Sequence, residues 1–273
     1  MIFRKPCLPP GWYPREREKI AEFLEPFAKG KRQASAAVAP HAGWYYSGSC
    51  AAMAVSSLDM KAETVAVIGG HLPRGMPILF AEEDGVKTPL GDMKIDRELR
   101  EKFEKLVKSR PDTYADNTVE VLLPMVHYFF PNAQLLWLRF PAEISSFHAG
   151  KLLAQSAKDL GRKIAVLASA DLTHYGENYG YSPKGRGKAA LEWVKNVNDA
   201  AFIEAVLRAD PSLVLKCADE DLSSCSAGAV VGALGFAASL RKRAALLDYR
   251  TSADVGDDKN PSSFVGYAAI KFE

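Results

Sequence analysis

The chain has 273 residues, of which 48% are hydrophobic and 25% charged, and these fractions exclude a disordered tail, a collagen-like repeat and a coiled coil. Its net charge of +2 provides no general attraction for nucleic acid, so nucleic acid is not an expected partner. The four cysteines show no CxxC spacing, and the amino terminus has no apolar core of a signal peptide. We therefore expect a reduced, cytoplasmic protein that folds as one domain over residues 1–273.

Short apolar runs alternate along the chain with segments of helical periodicity. The apolar runs predict buried strands, and the periodic segments predict helices. This alternation is typical of βαβ units, so we expect an α/β fold with a mainly parallel central sheet and helices on both faces. The predicted strands are residues 34–39, 64–69, 134–140, 164–169, 244–249 and 264–272, and the predicted helices are residues 47–58, 96–108, 146–160, 188–207 and 225–240.

The longest uncharged stretch, residues 225–240, is followed by three basic residues and so resembles a membrane segment. It is shorter than the ~20 residues needed to span a bilayer, and it is rich in Ala and Gly rather than Leu. We therefore expect a buried helix packed closely against a sheet, and no membrane partner.

Three predicted strands run into polar or glycine-containing turns, with the sequences AAVAPHAG, VAVIGGH and IAVLASADLTH. Ligands of open α/β sheets bind at the carboxyl ends of the strands. We therefore expect His41, His71, Asp171 and His174 at one edge of the sheet. A lone histidine at a strand end is more often a hydrogen-bonding residue than a ligand, so the prediction depends on the convergence of several such residues.

Asp171 and His174 are three residues apart, immediately after an apolar strand. In a tight turn or a first helical turn, that spacing presents the carboxylate and the imidazole on one side. Such a pair can act as general acid and base or orient a metal-bound water. The alternative is that Asp171 only caps the turn. The remaining histidines, His127 and His148, fall in helical stretches and are interpreted as structural.

Cys225 begins the predicted small-residue helix, whose amino terminus favours a thiolate and makes this cysteine a nucleophile or a soft metal ligand. Two imidazoles and a thiolate with an open coordination position suit Fe, Cu or Zn better than Mg or Ca. The sequence has no GxSxG elbow, P-loop or GxGxxG motif, which disfavours serine hydrolases and nucleotide-binding proteins.

Seven motifs, taken in order, resemble those of the Memo family, also called AmmeMemoRadiSam system protein B, which is related in fold to class III extradiol ring-cleaving dioxygenases. They are PHAGWYYSG (40–48), VIGGH (67–71), TPLGDMKID (88–96), DNTVEVLLP (116–124), SADLTHYG (169–176), SCSAG (224–228) and YRTSADVGDD…VGY (249–267).

The resemblance implies that His41, His71 and Cys225 bind iron or copper, and that Asp171 and His174 are polar pocket residues beside the metal. The related dioxygenases have a carboxylate as third ligand, so the cysteine resembles Memo proteins more closely. Fe(II) is the expected cofactor, and Cu and Zn are alternatives. The resemblance also implies radical-SAM and AMMECR-type partners.

The chain departs from the family pattern at two places. Asn117 replaces a pocket histidine, and an amide cannot shuttle a proton at neutral pH. The family's Gly-Pro-Ser/Asn-His turn is altered to the sequence Ile-Gly-Gly-His at residues 68–71. Both changes are expected to modify the metal site.

The sequence thus predicts a non-haem metal protein that performs O₂-dependent redox chemistry on a small organic substrate in a strand-end cleft. One alternative is a peptide- or protein-binding adaptor that uses the same cleft, and another is a zinc hydrolase. The donor atoms of the three ligands are expected to lie within about 4–5 Å of one another. Tyr45, Tyr46 and Ser47 are expected to lead into a helix and to pack their loop onto the sheet rather than take part in catalysis. The alternative is that the aromatic side chains shape the wall of the strand-end pocket.

Overall fold

A computed structural model describes residues 1–30, 33–255 and 260–273. The motif at 249–267 therefore includes residues 256–259, which lie outside the described residues. The strands are β1 (Phe3–Arg4), β2 (Ala36–Ala39), β3 (Thr64–Leu72), β4 (Ile78–Phe80), β5 (Gly85–Thr88), β6 (Gly91–Lys94), β7 (Ser109–Pro111), β8 (Gln134–Pro141), β9 (Ile164–Ser169), β10 (His174–Gly176), β11 (Ala244–Thr251) and β12 (Ser263–Phe272).

The helices α1 to α10 lie between these strands. They are α1 (Arg17–Leu24), α2 (Trp44–Ser57), α3 (Arg97–Glu104), α4 (Asn117–Glu120), α5 (Leu123–Phe129), α6 (Ser145–Asp159), α7 (Lys188–Trp193), α8 (Asp199–Leu207), α9 (Pro211–Glu220) and α10 (Ala227–Ser239). The helix predicted at 188–207 is interrupted by a π-helical turn, Val194–Asn198, which joins α7 to α8.

The large sheet has the strand order β10-β12-β2-β9-β3-β8-β4-β7, and β11 pairs with β12. The central strands β2, β9, β3 and β8 are parallel to one another. Strand β12 runs antiparallel to β2, β10 and β11, and β4 runs antiparallel to β8. The expected α/β fold is confirmed. The sheet is nevertheless mixed, because most of its outer strands pair in the antiparallel direction, which does not need the long crossover connections of parallel pairing.

Helices cover both faces of this sheet, as expected. Alternate residues of one strand belong to opposite cores: Val38 packs with α3, α6, α8, α9 and α10, whereas Ala37 and Ala39 pack with α1, α2 and α5. The central strands are buried on both sides, which explains their continuous apolar sequence. This arrangement leaves the carboxyl ends of the central strands as the edge where polar side chains collect.

The small-residue segment forms the buried helix α10, which lies against the sheet and against α6. A Cβ atom at Gly150 of α6 would collide with the backbone of Gly232 in α10, so the two helices approach at backbone distance. Helix α10 begins at Ala227, two residues later than predicted, and Cys225 therefore lies in the preceding loop. Within the described part of the chain, no helix has both the length and the apolar composition that crossing a bilayer requires.

The sequence pattern did not predict the helices α1 and α9, nor most of the shortest strands. A second sheet, with the order β1-β5-β6, consists of strands of two to four residues, too short to show an alternating pattern. Its strand β1 brings the amino-terminal segment beside residues 85–88. The segment that follows β1 reaches the strand-end edge described next.

Candidate metal centre

Three chain segments bring the candidate ligands together at the strand-end edge: His41 lies just after β2, His71 is the second-last residue of β3, and Cys225 lies in the loop before α10. One donor atom from each residue lies within 4.8 Å of the others. The Nε2 atom of His41 is 3.2 Å from Sγ of Cys225. The predicted convergence of the donor atoms is confirmed.

His41 is fully buried just after β2, and its ring orientation is fixed by Ser169 at the end of β9. The Nδ1 atom of His41 lies 2.9 Å from the Ser169 hydroxyl, which donates its own proton to the carbonyl of Thr118. The Ser169 oxygen therefore accepts a proton from Nδ1. This leaves Nε2, the atom facing Cys225, as the nitrogen available to a metal.

His71 lies near the end of β3 in a left-handed conformation, with φ of 57°. The two glycines before it allow a close approach, because a Cβ at Gly69 would collide with Thr118 and one at Gly70 with Ser226. The Nδ1 atom of His71 donates to Oδ2 of Asp116 at 3.0 Å. Its Nε2 is therefore also available as a metal donor.

Asp116 is itself held by a buried polar network. It accepts from the backbone N–H of Thr118 at 2.9 Å and pairs with the guanidinium of Arg139 at 3.2 Å. Burial raises the pKa of Asp116, but its hydrogen bonds from His71 and Thr118 and the charge of Arg139 lower it by more, well below its usual range. Asp116 thus keeps a full negative charge against the His71 ring.

Neither Asp116 nor Ser169 is among the site residues that the sequence predicts. Asp116 caps the short helix α4, a role that its position before the Asn-Thr-Val-Glu segment could have indicated. Ser169 ends a predicted strand, and nothing in the local pattern distinguishes it from a buried serine. Both residues act on the ring nitrogens that face away from the candidate metal site.

Cys225 is half-buried, and its surroundings favour the thiolate. Burial raises the pKa of Cys225, but the nearby His41 and His71 lower it by more, to about 5. Cys225 does not begin α10 as predicted, because the helix starts two residues later, and the neighbouring groups that lower this pKa are the imidazoles. Burial lowers the pKa of His71, yet Asp116 and Cys225 raise it to about 10. Without metal, the cluster holds an imidazolium beside a thiolate.

Asp171 and His174 lie beside this donor cluster, as predicted, but in an extended segment rather than a helical turn. His174 is the first residue of β10. The buried Oδ1 of Asp171 accepts from the backbone N–H of His41 at 2.7 Å, and Oδ2 lies 3.9 Å from Nε2 of His41 and 4.0 Å from Nε2 of His174. The carboxylate therefore contacts a candidate ligand and faces a second imidazole.

A cleft of about 750 Å³ is lined by His41, His71, Asp171 and His174, whereas Cys225 lines a separate cavity of about 310 Å³. Asn117 also lines the cleft, and its side-chain amide donates to the carbonyl of His41 at 3.1 Å. Tyr45 and Tyr46 also line it and are 70% and 48% exposed, so their expected packing onto the sheet is wrong. Ser47, by contrast, is buried, and its hydroxyl donates to the carbonyl of Ala42 at 3.0 Å.

Other chemically capable residues lie outside the donor cluster. The Glu120 carboxylate binds the amino-terminal segment, accepting from the backbone N–H of Cys7 at 2.7 Å and from the hydroxyl of Tyr13 at 2.8 Å. The Nδ1 atom of His127, a residue of α5, lies 2.7 Å from the Thr88 hydroxyl. His148 is an exposed residue of α6. Among the described residues, the cluster that could bind a metal is His41, His71 and Cys225.

This arrangement fits a metal ion of the Fe, Cu and Zn group. Imidazole and thiolate are the donors that these metals prefer, and a hydrogen bond to the outer nitrogen of each ring is the support usual for metal-bound histidine. Both hydrogen bonds are present, from His41 to Ser169 and from His71 to Asp116. A mutual distance of 4.8 Å or less lets three donors reach one ion after small side-chain movements.

Comparisons with known proteins show which proteins this chain resembles in sequence and in fold. The family model described as "Memo-like protein" matches residues 4–271. A MEMO1 family protein of Pyrococcus abyssi is 32% identical over 98% of this chain and 99% of its own length, and one of Archaeoglobus fulgidus is 27% identical over the same shares. The crystal structure of uncharacterized protein JW3007 from Escherichia coli K12 is similar in fold alone, with a TM-score of 0.50 and 15% identity over 86% of this chain and 99% of that one.

Proposed function

The chain belongs to the Memo family, and on that premise we propose that it is a metal-binding protein whose His41, His71 and Cys225 hold one ion at the base of the cleft. Fe(II) is the proposed metal, and Cu and Zn are the alternatives that the same donors admit. The observation that carries the proposal is the orientation of both imidazoles, each of which donates from Nδ1 to a fixed acceptor and leaves Nε2 toward the thiolate.

The proposed reaction is an O₂-dependent oxidation, of the dioxygenase type, of a small organic substrate in the cleft. When bound, the metal supplies a redox centre with an open coordination position. His174 is 31% exposed at the cleft, so its imidazole can exchange protons with a ligand there. Asp171 orients that imidazole and fixes the backbone of His41 through the hydrogen bond to its N–H.

A second candidate function, an adaptor that binds a peptide or protein in the same cleft, is favoured by the exposed aromatic rim. Tyr45, Tyr46 and Tyr179 are 70%, 48% and 46% exposed, and all three line the cleft. Tyrosine is enriched where proteins bind partners, because its ring offers apolar area and its hydroxyl a hydrogen bond. The radical-SAM and AMMECR-type partners stay predictions drawn from the family resemblance.

Anaerobic titration calorimetry with Fe(II), Cu(I) and Zn(II) tests the metal proposal. We expect Cys225→Ser to lower the affinity by 100-fold or more, because it removes the softest donor. Cys7→Ser is the matched control, since Cys7 contacts Glu120 outside the cluster. Wild-type affinity in Cys225→Ser would contradict the proposed ligand set.

Oxygen consumption separates the enzyme from the adaptor. An oxygen electrode should record uptake by the Fe(II)-loaded protein with a panel of small phenols and amines, and Asp171→Asn should reduce that uptake while metal binding persists. An adaptor would bind peptides equally well with and without metal, and it would consume no oxygen with any compound of the panel.

A further inference from the structure

Behind the segment that carries Asp171 and His174 lies a buried polar network that does not line the cleft. Asp199, the first residue of α8, is fully buried, and its Oδ1 accepts from both the backbone N–H and the hydroxyl of Thr173. The N–H distance is 3.1 Å. Its other oxygen, Oδ2, accepts from the hydroxyl of Tyr249 at 2.7 Å. Thr173 is thus anchored immediately before His174.

The neighbouring Asn198 binds the same threonine and extends the network toward the loop before α10, which carries Cys225. Its Nδ2 donates to the Thr173 hydroxyl oxygen at 2.9 Å and to the backbone carbonyl of Asp221 at 3.0 Å. Farther along that loop, the Ser224 hydroxyl and the backbone N–H of Cys225 both donate to the carbonyl of Asp171. The side chains of Asn198 and Asp199 therefore connect the segment 171–174 to the loop that carries Cys225, and these two segments flank the candidate metal site.

The local backbone is specialised to place this pair. In a regular α-helix, the side chains of consecutive residues point about 100° apart. Here the side chains of both Asn198 and Asp199 bind Thr173, at the point where the π-helical turn Val194–Asn198 ends. Such turns occur frequently at functional sites. On the opposite side, a Cβ at Gly266 would collide with the Asp199 carboxylate, and the N–H of Gly266 donates to the Thr173 carbonyl. Burial of a carboxylate among neutral donors disfavours folding, so its presence calls for a role.

We propose that Asn198 and Asp199 are positioning residues that hold Thr173 and thereby set the place of the His174 imidazole relative to Asp171. Neither side chain lines the cleft, so they act through the backbone of residues 171–174. The importance of this role for a reaction rests on the proposed function, but the positioning itself is a property of the metal-free protein.

Histidine-selective ¹⁵N NMR of the metal-free protein tests the proposal. Thr173→Val and Tyr249→Phe each remove one hydroxyl that donates to Asp199, yet only Thr173 belongs to the segment that carries His174. We expect the His174 ring resonances to shift in Thr173→Val and to stay at their wild-type positions in Tyr249→Phe. The resonances of His127 and His148 serve as internal references, and Thr173→Ser, which keeps the hydroxyl, should restore the wild-type spectrum.

The proposal would be overturned if the His174 resonances were unchanged in Thr173→Val. Equal shifts in Thr173→Val and Tyr249→Phe would also overturn it, because they would indicate a general loosening of the structure around Asp199. Should Thr173→Val fail to fold, Asn198→Ala gives the same test, with the same two outcomes expected and excluded. Since the spectra contain no metal, a His174 shift together with absent metal binding or oxygen uptake would disprove the proposed function and leave the positioning role intact.

Discussion

The donor cluster of His41, His71 and Cys225 at the cleft and the fully buried network around Asp199 are both polar regions, but they balance charge in opposite ways. In the cluster, a thiolate faces imidazoles, so its charges compensate one another. In the network, every described hydrogen-bond partner of Asp199 is a neutral donor. The cluster can exchange its protons for a metal ion, whereas the network can only hold the backbone in place.

The largest expected effect concerns the thiol of Cys225, and its absence would contradict this contrast between the cluster and the network. Its pKa is lowered to about 5, while burial raises the pKa of Cys7 to about 11 and also raises those of Cys50 and Cys217. The ultraviolet absorbance of a thiolate should therefore persist at pH 7 in the metal-free protein and disappear as the pH falls through about 5. Cys225→Ser should lack this transition. A thiolate signal that first appears above pH 8 would show that the imidazoles do not stabilise the sulfur charge.

The next effect concerns the carboxylate behind His71. Asp116→Asn removes the charge that supports the ring while keeping an oxygen that can accept from Nδ1. Loss of such an outer partner lowers metal affinity by about 10- to 100-fold, and we expect a loss in that range by anaerobic calorimetry. Asp92→Asn, at an exposed carboxylate paired with Lys87, is the control. An affinity within twofold of wild type would mean that Asp116 contributes only to the fold.

A smaller effect sharpens the contrast from the side of the network. Burial raises the pKa of Asp199 from 3.8 to about 6, although its hydrogen bonds from Thr173 and Tyr249 lower it in part. Between these two values the folded state retains a proton that the unfolded state releases. The group therefore stabilises the fold most below pH 4 and loses that contribution as the pH rises through 6.

Asp199→Asn has no charge to bury, so its stability relative to wild type should rise by about 2 kcal/mol between pH 4.5 and pH 8. Urea unfolding at the two pH values measures this difference, and the same change at the exposed Asp219 serves as the control. A relative stability that stays constant with pH would indicate that Asp199 is charged in both folded and unfolded chains.

The sequence predicts the scaffold of the site better than its supports. The strands that lead to His41 and His71 are apolar runs followed by glycine- or proline-containing segments, so both the strands and the strand-end positions of the two histidines can be read locally. The partners Ser169 and Asp116 act across distances of 128 and 45 residues in the chain, and no local pattern encodes such contacts. The start of α10 at Ala227 was missed for a related reason, because the composition around Cys225 is compatible with a helix and the tertiary hydrogen bond to Asp171 keeps it in a loop.

The most direct test of the central claim is X-ray absorption spectroscopy of the Zn-loaded protein and its Cys225→Ser variant. With His41, His71 and Cys225 as ligands, the wild-type spectrum should contain one sulfur scatterer at about 2.3 Å and nitrogen scatterers at about 2.0–2.1 Å. The sulfur contribution should vanish in Cys225→Ser, while the imidazole contribution stays. A wild-type spectrum with nitrogen and oxygen scatterers alone would contradict the account, because it would place the metal away from the thiolate.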